Sequence, residues 1–102
     1  MTAPAYFIAQ MDIRDPDVFA EYRKLAVPTL AAHGARTLVR TEDVVLLEGD
    51  ARPARLVIHE FPSKAAALAW YHSPEYQKAA ALRWASADTR AMICEGAEAP
   101  KS

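Results

Sequence analysis

The segment at residues 61–76 constrains the fold more than any other part of the chain. It contains two places where a helix can begin, at Ser63 and at Ser73, because a serine hydroxyl can accept a hydrogen bond from a free backbone N–H group of a first helical turn. Pro74 directly follows the second serine, and proline is favoured at the first position of a helix. The segment therefore predicts two successive helices joined by a short turn.

Elsewhere the sequence alternates between patterns typical of strands and the pattern of one long helix. That helix runs from about Asp17, with Pro16 near its first position, and Pro28 is expected to kink it or divide it into two pieces. Gly34 can adopt the left-handed backbone conformation that ends a helix. Extended segments are expected at residues 6–13, 36–40, 44–48, 55–61 and 89–94.

This order of elements predicts the split βαβ, or ferredoxin-like, α+β fold, in which an antiparallel sheet carries its helices on one face. The predicted strands have apolar residues on both sides, with Ile8 beside Phe7 and Ile58 beside Val57. The face without helices would expose a large apolar patch, which is typical of an interface. We expect one domain over residues 1–96 and a flexible tail at residues 97–102, with two copies packed sheet to sheet as a homodimeric α+β barrel.

Composition supports the oligomer and argues against several other classes of protein. Of the 102 residues 52% are hydrophobic, which is more than a small monomer readily buries. Twelve Lys and Arg and thirteen Asp and Glu are scattered, so no basic patch indicates binding to nucleic acid. No apolar run approaches the length of a membrane span, no signal peptide is recognisable, and the single cysteine, Cys94, is expected to be buried. These features predict a cytoplasmic protein without membrane or nucleic-acid partners.

With its elements placed, the chain resembles the family called domain of unknown function 1330. The resemblance runs from Tyr6 to Gly96 and depends on several short segments taken together. These are Glu21-Tyr22-Arg23-Lys24, Pro28-Thr29-Leu30-Ala31-Ala32-His33-Gly34, Leu47-Glu48-Gly49-Asp50, Glu60-Phe61-Pro62-Ser63, Ala69-Trp70-Tyr71 and Ser73-Pro74-Glu75-Tyr76. The family is similar to the dimeric α+β barrels, which include monooxygenases, isomerases, haem enzymes and binding domains. The resemblance implies that fold and a homodimer, but no particular activity.

Five side chains are candidates for binding a ligand between the helices and the sheet. Tyr22 and His33 are eleven positions apart, so on a continuous helix they would point within about 20° of each other. The aromatic rings could stack on an aromatic molecule, and Arg83 could bind a carboxylate. The alternative is that the rings are core residues and that Arg83 pairs with an acid. The five candidates are Tyr22, His33, Trp70, Tyr76 and Arg83.

Acid–base chemistry could come from His33, Tyr22 or Glu60. Glu60 lies near the end of a strand that should be central, where burial would raise the pKa of a carboxylic acid and make it a better base. Its alternative role is a structural ion pair or a hydrogen bond to the backbone. His33, His59 and His72 lack the spacing of a local metal site, and the chain has no nucleotide-binding motif. No metal and no cofactor are therefore predicted.

Two hypotheses about function remain. In the first, the protein is a homodimer that binds a small anionic or aromatic molecule in a cleft between helices and sheet, with or without cofactor-free catalysis. In the second, it is a dimerisation or sensing module without a ligand pocket, and the candidate residues are core. The sequence does not decide whether the protein is an enzyme.

Overall fold

The predicted order of elements is confirmed in the computed structural model, which describes residues 3–50, 52 and 54–97. The elements are β1 (Ala5–Ile13), α1 (Pro16–Ala32), β2 (Arg36–Thr41), β3 (Arg55–Phe61), α2 (Lys64–Tyr71), α3 (Pro74–Ser86) and β4 (Ala87–Glu95). The strands form one antiparallel sheet in the order β2-β3-β1-β4. This is the ferredoxin-like α+β fold. Residues 98–102 of the expected tail lie outside the described residues.

The helices begin where the sequence predicts. The Ser63 hydroxyl accepts a hydrogen bond from the Ala66 backbone N–H at 3.0 Å and caps α2. The Ser73 hydroxyl accepts one from the Tyr76 N–H at 3.2 Å and caps α3, whose first residue is Pro74. Both boundaries follow from interactions over three residues, which explains why the local sequence predicts them.

Pro28 does not divide α1, which continues as one helix from Pro16 to Ala32. Leu30 and Ala26 are buried against the core on either side of the proline, and this packing holds the helix together across one missing N–H. The helix ends at Ala32, and Gly34 follows with a φ of +72°, which confirms the predicted left-handed stop. A Cβ at this glycine would also lie 3.1 Å from Cγ of Pro62.

Two expectations about the surface are wrong. The described residues 43–50 form no strand, although 44–48 has an extended, apolar pattern. Val45 and Leu47 are exposed, and β2 pairs directly with β3 instead. Cys94 is exposed in the single chain rather than buried. Its neighbour Ile93 faces the helices, so the alternation of the strand turns Cys94 to the other side.

The core lies between the helices and one face of the sheet. Alternate residues of β1, among them Phe7 and Met11, are buried on this face, as are Val57 and Phe61 of β3. Trp70 from α2 packs its ring 5.0 Å from that of Phe7 and 5.2 Å from that of Phe61, measured between centroids. The aromatic residue at the end of α2 therefore ties the helical layer to the two central strands.

The opposite side of the sheet, which we call the open face, carries the alternate set of strand residues. The strand register places four apolar residues in one row across all four strands. Beside this row, Glu60 accepts hydrogen bonds from Tyr6 Oη at 3.2 Å and from Arg36 Nε at 3.0 Å. The apolar row, in sheet order, is Val39, Ile58, Ile8 and Met92.

Candidate functional site

A small cavity lies between α1 and the sheet. Its volume is about 30 Å³, and its lining includes Phe7, Met11 and Val57 from the sheet. Tyr22 of α1 and Trp70 of α2 also line it. A space of this size holds roughly two water molecules. The cavity is thus an apolar recess in the core that two of the predicted ligand-binding residues border.

Three arginines from three different elements border the same cavity: Arg23 of α1, Arg40 of β2 and Arg55 of β3. The Arg55 side chain is 15% exposed, and its Nε is buried without a hydrogen-bond partner among the described residues. Burial lowers the pKa of Arg55, and the positive charges of Arg23 and Arg40 lower it further. Glu42 Oε1 is 3.9 Å from Arg55 Nη1, but the glutamate side chain is 77% exposed and screens this charge weakly. The three arginines give this cavity a positive electrostatic potential.

His59 provides a neutral polar group beside the arginines. Its ring is stacked on Phe7, with centroids 5.9 Å apart and planes at 9°. Nδ1 lies 2.9 Å from the Thr37 hydroxyl, within hydrogen-bonding distance. Burial, together with the charge of Arg40, lowers the pKa of His59 to about 4. The imidazole is therefore uncharged near pH 7 and can exchange hydrogen bonds with a ligand without adding positive charge.

Tyr22, Trp70 and Tyr76 are brought together, as the sequence indicates. The hydroxyls of Tyr22 and Tyr76 share a hydrogen bond of 3.0 Å, and Trp70 Nε1 donates to Thr29 Oγ1 at 2.9 Å. Burial and the neighbouring Tyr76 raise the pKa of Tyr22 well above its ordinary value. Tyr22 is therefore a neutral phenol near neutral pH. Tyr76, whose side chain is fully buried, holds the Tyr22 hydroxyl through their shared hydrogen bond.

The remaining candidates lie elsewhere. His33, just past α1, donates from Nδ1 to the Thr29 carbonyl at 3.1 Å and is not among the residues that line the cavity. Arg83 lines a separate cleft, together with residues of β4. Glu60 is on the open face of the sheet, in its ion pair with Arg36. A single site therefore does not contain all the predicted residues, and their contact with a ligand stays a prediction.

Reasoning from the sequence missed the arginines and His59 as site residues. Arg55, Val57 and His59 alternate along one strand, so their shared face was readable from the period of two. Arg23 and Arg40 come to the same place only through the packing of α1 and the pairing of β2 with β3. No local pattern marks that convergence.

Other kinds of site lack support in the described part of the chain. Among residues 3–50, 52 and 54–97, no three His, Cys, Asp or Glu side chains are grouped so as to hold a metal ion. None of the helices described is both long and apolar enough to cross a membrane.

Comparison with known structures places the fold among proteins of similar architecture. A protein of unknown function from Rhodopseudomonas palustris is 20% identical, with a TM-score of 0.79 over 97% of this chain and 86% of the other. The cofactor-independent oxygenase SnoaB from Streptomyces nogalater is 13% identical, with a TM-score of 0.67 over 96% and 97% of the two chains. A dimeric ferredoxin-like protein of unknown function from Thermobifida fusca is 18% identical, with a TM-score of 0.63 over 93% and 92%.

At these identities the likeness to solved structures concerns the fold alone. No functionally curated protein matches the sequence. The sequence model of the domain of unknown function 1330, in contrast, matches residues 4–97, which is nearly the whole chain. The chain belongs to the family of the domain of unknown function 1330.

Proposed function

We propose that the protein binds a small molecule that has an acidic group and an apolar or aromatic body, at the cavity between α1 and the sheet. The observation that carries this proposal is the convergence of Arg23, Arg40 and Arg55 on an apolar recess. A guanidinium group can bind a carboxylate through two parallel hydrogen bonds, and Arg55 Nε lacks a partner among the described residues. A bound anion would relieve the repulsion among the three positive charges.

The body of the ligand would occupy a groove on the surface next to the cavity. This groove has a volume of about 550 Å³ and lies between α1 and the beginning of β3. It shares Phe19, Arg23, Val27 and Arg55 with the cavity, which forms its inner end. Small-molecule sites typically have volumes of about 300–1,000 Å³, so groove and cavity together are large enough where the cavity alone is not.

Cofactor-free chemistry would depend on the two uncharged titratable groups at this site, His59 and Tyr22. SnoaB, a structural neighbour, is a cofactor-independent oxygenase, and that description supports asking the same question of this chain. His59 accepts a proton only at acidic pH, and Tyr22 donates one only with difficulty, because burial disfavours the charged form of each. Binding and orientation of a ligand are therefore better supported than proton transfer.

Replacing Arg55 with Gln is expected to weaken the binding of phenylacetate about tenfold, since a hydrogen bond to a charged group contributes about 1.5–3 kcal/mol. Isothermal titration calorimetry would measure the affinity. Phenylacetamide has the same ring without the charge and should bind the wild type much more weakly. Arg52→Gln is the matched control, because Arg52 is exposed and does not line the cavity. Equal affinity for acid and amide, or an unchanged affinity in Arg55→Gln, would contradict the proposal.

We also propose that two copies pair through their open faces. The row Val39, Ile58, Ile8 and Met92 crosses the whole sheet, and Met92 is 41% exposed in the single chain. Contiguous apolar surface of this kind is typical of an interface. The neighbour from Thermobifida fusca is described as dimeric, which supports a dimer of this chain.

Replacing Ile8 with Glu is expected to convert the dimer to a monomer, because it would bury two carboxylates without partners in the interface. The mass of one chain is 11.2 kDa. Multi-angle light scattering at micromolar concentrations should give twice this mass for the wild type and the mass of one chain for the variant. Leu25→Glu is the control, since Leu25 is an exposed residue of α1 on the helical side. A wild-type protein that is monomeric throughout this range would rule out the dimer.

A further inference from the structure

A second cleft, separate from the cavity and its groove, lies between the last turns of α3 and β4. Its volume is about 480 Å³, and Tyr71, Arg83, Trp84, Asp88 and Thr89 are among the residues that line it. None of these residues lines the cavity bordered by the arginines. Between the two groups of lining residues, in the core, the hydroxyls of Tyr22 and Tyr76 share a hydrogen bond of 3.0 Å.

Arg83 is an unusual residue for a wall of this cleft, because its side chain is almost wholly buried. The residue is 3% exposed, and its Nε has no hydrogen-bond partner among the described residues. No described carboxylate lies within 4.0 Å of its guanidinium group. Burial acts to lower the pKa of Arg83, but Tyr76 and Tyr22 outweigh it and raise the pKa above its ordinary value. The cleft therefore has a permanent positive charge that the described chain does not neutralise.

Thr89 adds a second unpaired group to the same wall. Its Oγ1 is buried and has no hydrogen-bond partner among the residues described. Buried polar groups without partners are few in native proteins, so two of them lining one cleft require an explanation. A guanidinium N–H and a hydroxyl can both donate to the oxygens of one anion.

The other residues of the cleft are the phenol Tyr71, the alanines Ala87 and Ala91, and the exposed Trp84 and Asp88. Asp88 is paired with Arg14, whose Nε is 3.1 Å from its carboxylate oxygen, and so does not compensate Arg83. Arg14 also donates from Nη2 to the Trp84 carbonyl at 3.3 Å, which fastens the end of α3 to the beginning of β4. The Trp84 residue is 52% exposed and offers a flat surface at the edge of the cleft. The rim is thus held in place, and Arg83 Nε and Thr89 Oγ1 stay buried without a partner among the described residues.

We propose that this cleft is a second binding site, for a small carboxylate on a flat aromatic body. The carboxylate oxygens accept hydrogen bonds from Arg83 Nε and Thr89 Oγ1, and the ring lies against Trp84. Binding supplies the negative charge that the buried guanidinium lacks. The site does not depend on ligand binding at the cavity bordered by Arg55.

Benzoate is the probe, and the indole N–H signal of Trp84 in ¹⁵N-resolved NMR spectra is the local readout, identified with a Trp84→Phe variant. Titration of the wild-type protein should move this signal to saturation. Thr89→Val should weaken benzoate binding about tenfold. It should leave the melting temperature unchanged or raise it, because the hydroxyl it removes has no partner. Thr89→Ser retains the hydroxyl and should retain the affinity.

Three results would overturn the second site. The first is no response of the Trp84 signal to millimolar benzoate, the second is an equal response to uncharged benzamide, and the third is wild-type affinity in both Thr89→Val and Arg83→Lys. The Arg55→Gln variant separates this site from the cavity, since it should leave the Trp84 response intact. Weaker binding of phenylacetate at the cavity in Arg55→Gln, with a retained Trp84 response to benzoate, would mean that the two sites act independently.

Discussion

Replacing Trp70 with Ala is expected to lower the free energy of unfolding by about 3–5 kcal/mol. The residue is 1% exposed, and its ring centroid lies 4.0 Å from that of Tyr76. Removal would leave a cavity beneath α2 and leave the Thr29 hydroxyl without the indole N–H that it accepts at 2.9 Å. A domain of this size has a total stability of about 5–15 kcal/mol, so the variant would lose a large fraction of it.

Urea unfolding followed by circular dichroism would measure the loss. Trp84→Ala is the matched control: the same substitution in α3, at a residue that is 52% exposed, should change the unfolding free energy by less than about 1 kcal/mol. Trp70→Phe retains most of the ring and should fall between the two. If Trp70→Ala destabilises the protein no more than Trp84→Ala, the ring does not have the structural role that its burial indicates.

The second large effect is a loss of stability in acid that depends on His59. The pKa of His59 is about 4 in the folded protein, against 6.5 for an unperturbed histidine. Between these values the unfolded chain binds a proton that the folded chain does not, so the free energy of unfolding decreases as the pH falls through this window. Over the whole range from pH 6.5 to 4 the free energy of unfolding should fall by about 3 kcal/mol, since each pKa unit of difference corresponds to about 1.36 kcal/mol.

In the His59→Gln variant, the free energy of unfolding should not show this decrease between pH 6.5 and 4. His72→Gln is the control, because His72 is exposed and the dependence should remain. Urea midpoints at closely spaced pH values would give the slope, and the ring signals of His59 in NMR spectra would give its pKa directly. Wild-type and His59→Gln proteins with the same slope in this window would show that the buried imidazole is not the cause.

Both predictions bear on the proposed cavity, because Trp70 and His59 form part of its lining. Trp70 packs against Phe7 and Phe61 from above, and His59 stacks on Phe7 from the neighbouring strand. Protonation of His59 would add a fourth positive charge next to Arg40. A ligand with an acidic group would therefore oppose the loss of stability in acid, provided that the ligand remains ionised.

The candidate site was predictable only in part, and Arg83 and Arg55 show why. The sequence indicates that Arg83 shares a helix face with Tyr76, and the structure places the two residues close enough for Tyr76 to raise the pKa of Arg83. The sequence does not indicate that Arg83 and Tyr22 line different spaces, which the structure shows. Arg55 offered no signal beyond its place in a strand, because its importance depends on two arginines that are distant in the sequence.

The sequence by itself determined the helix starts at Ser63 and Ser73, the helix stop at Gly34 and the order of the elements. Capping hydrogen bonds and glycine conformations act within three or four residues, so a local pattern contains all the information they need. Only the tertiary structure decided that α1 continues through Pro28 and that Glu60 is on the face opposite Tyr22. Only the tertiary structure separated the cavity at Arg55 from the cleft at Arg83. These outcomes depend on burial and on contacts between distant segments, whose free energies exceed local propensities and are not encoded in any one stretch of the chain.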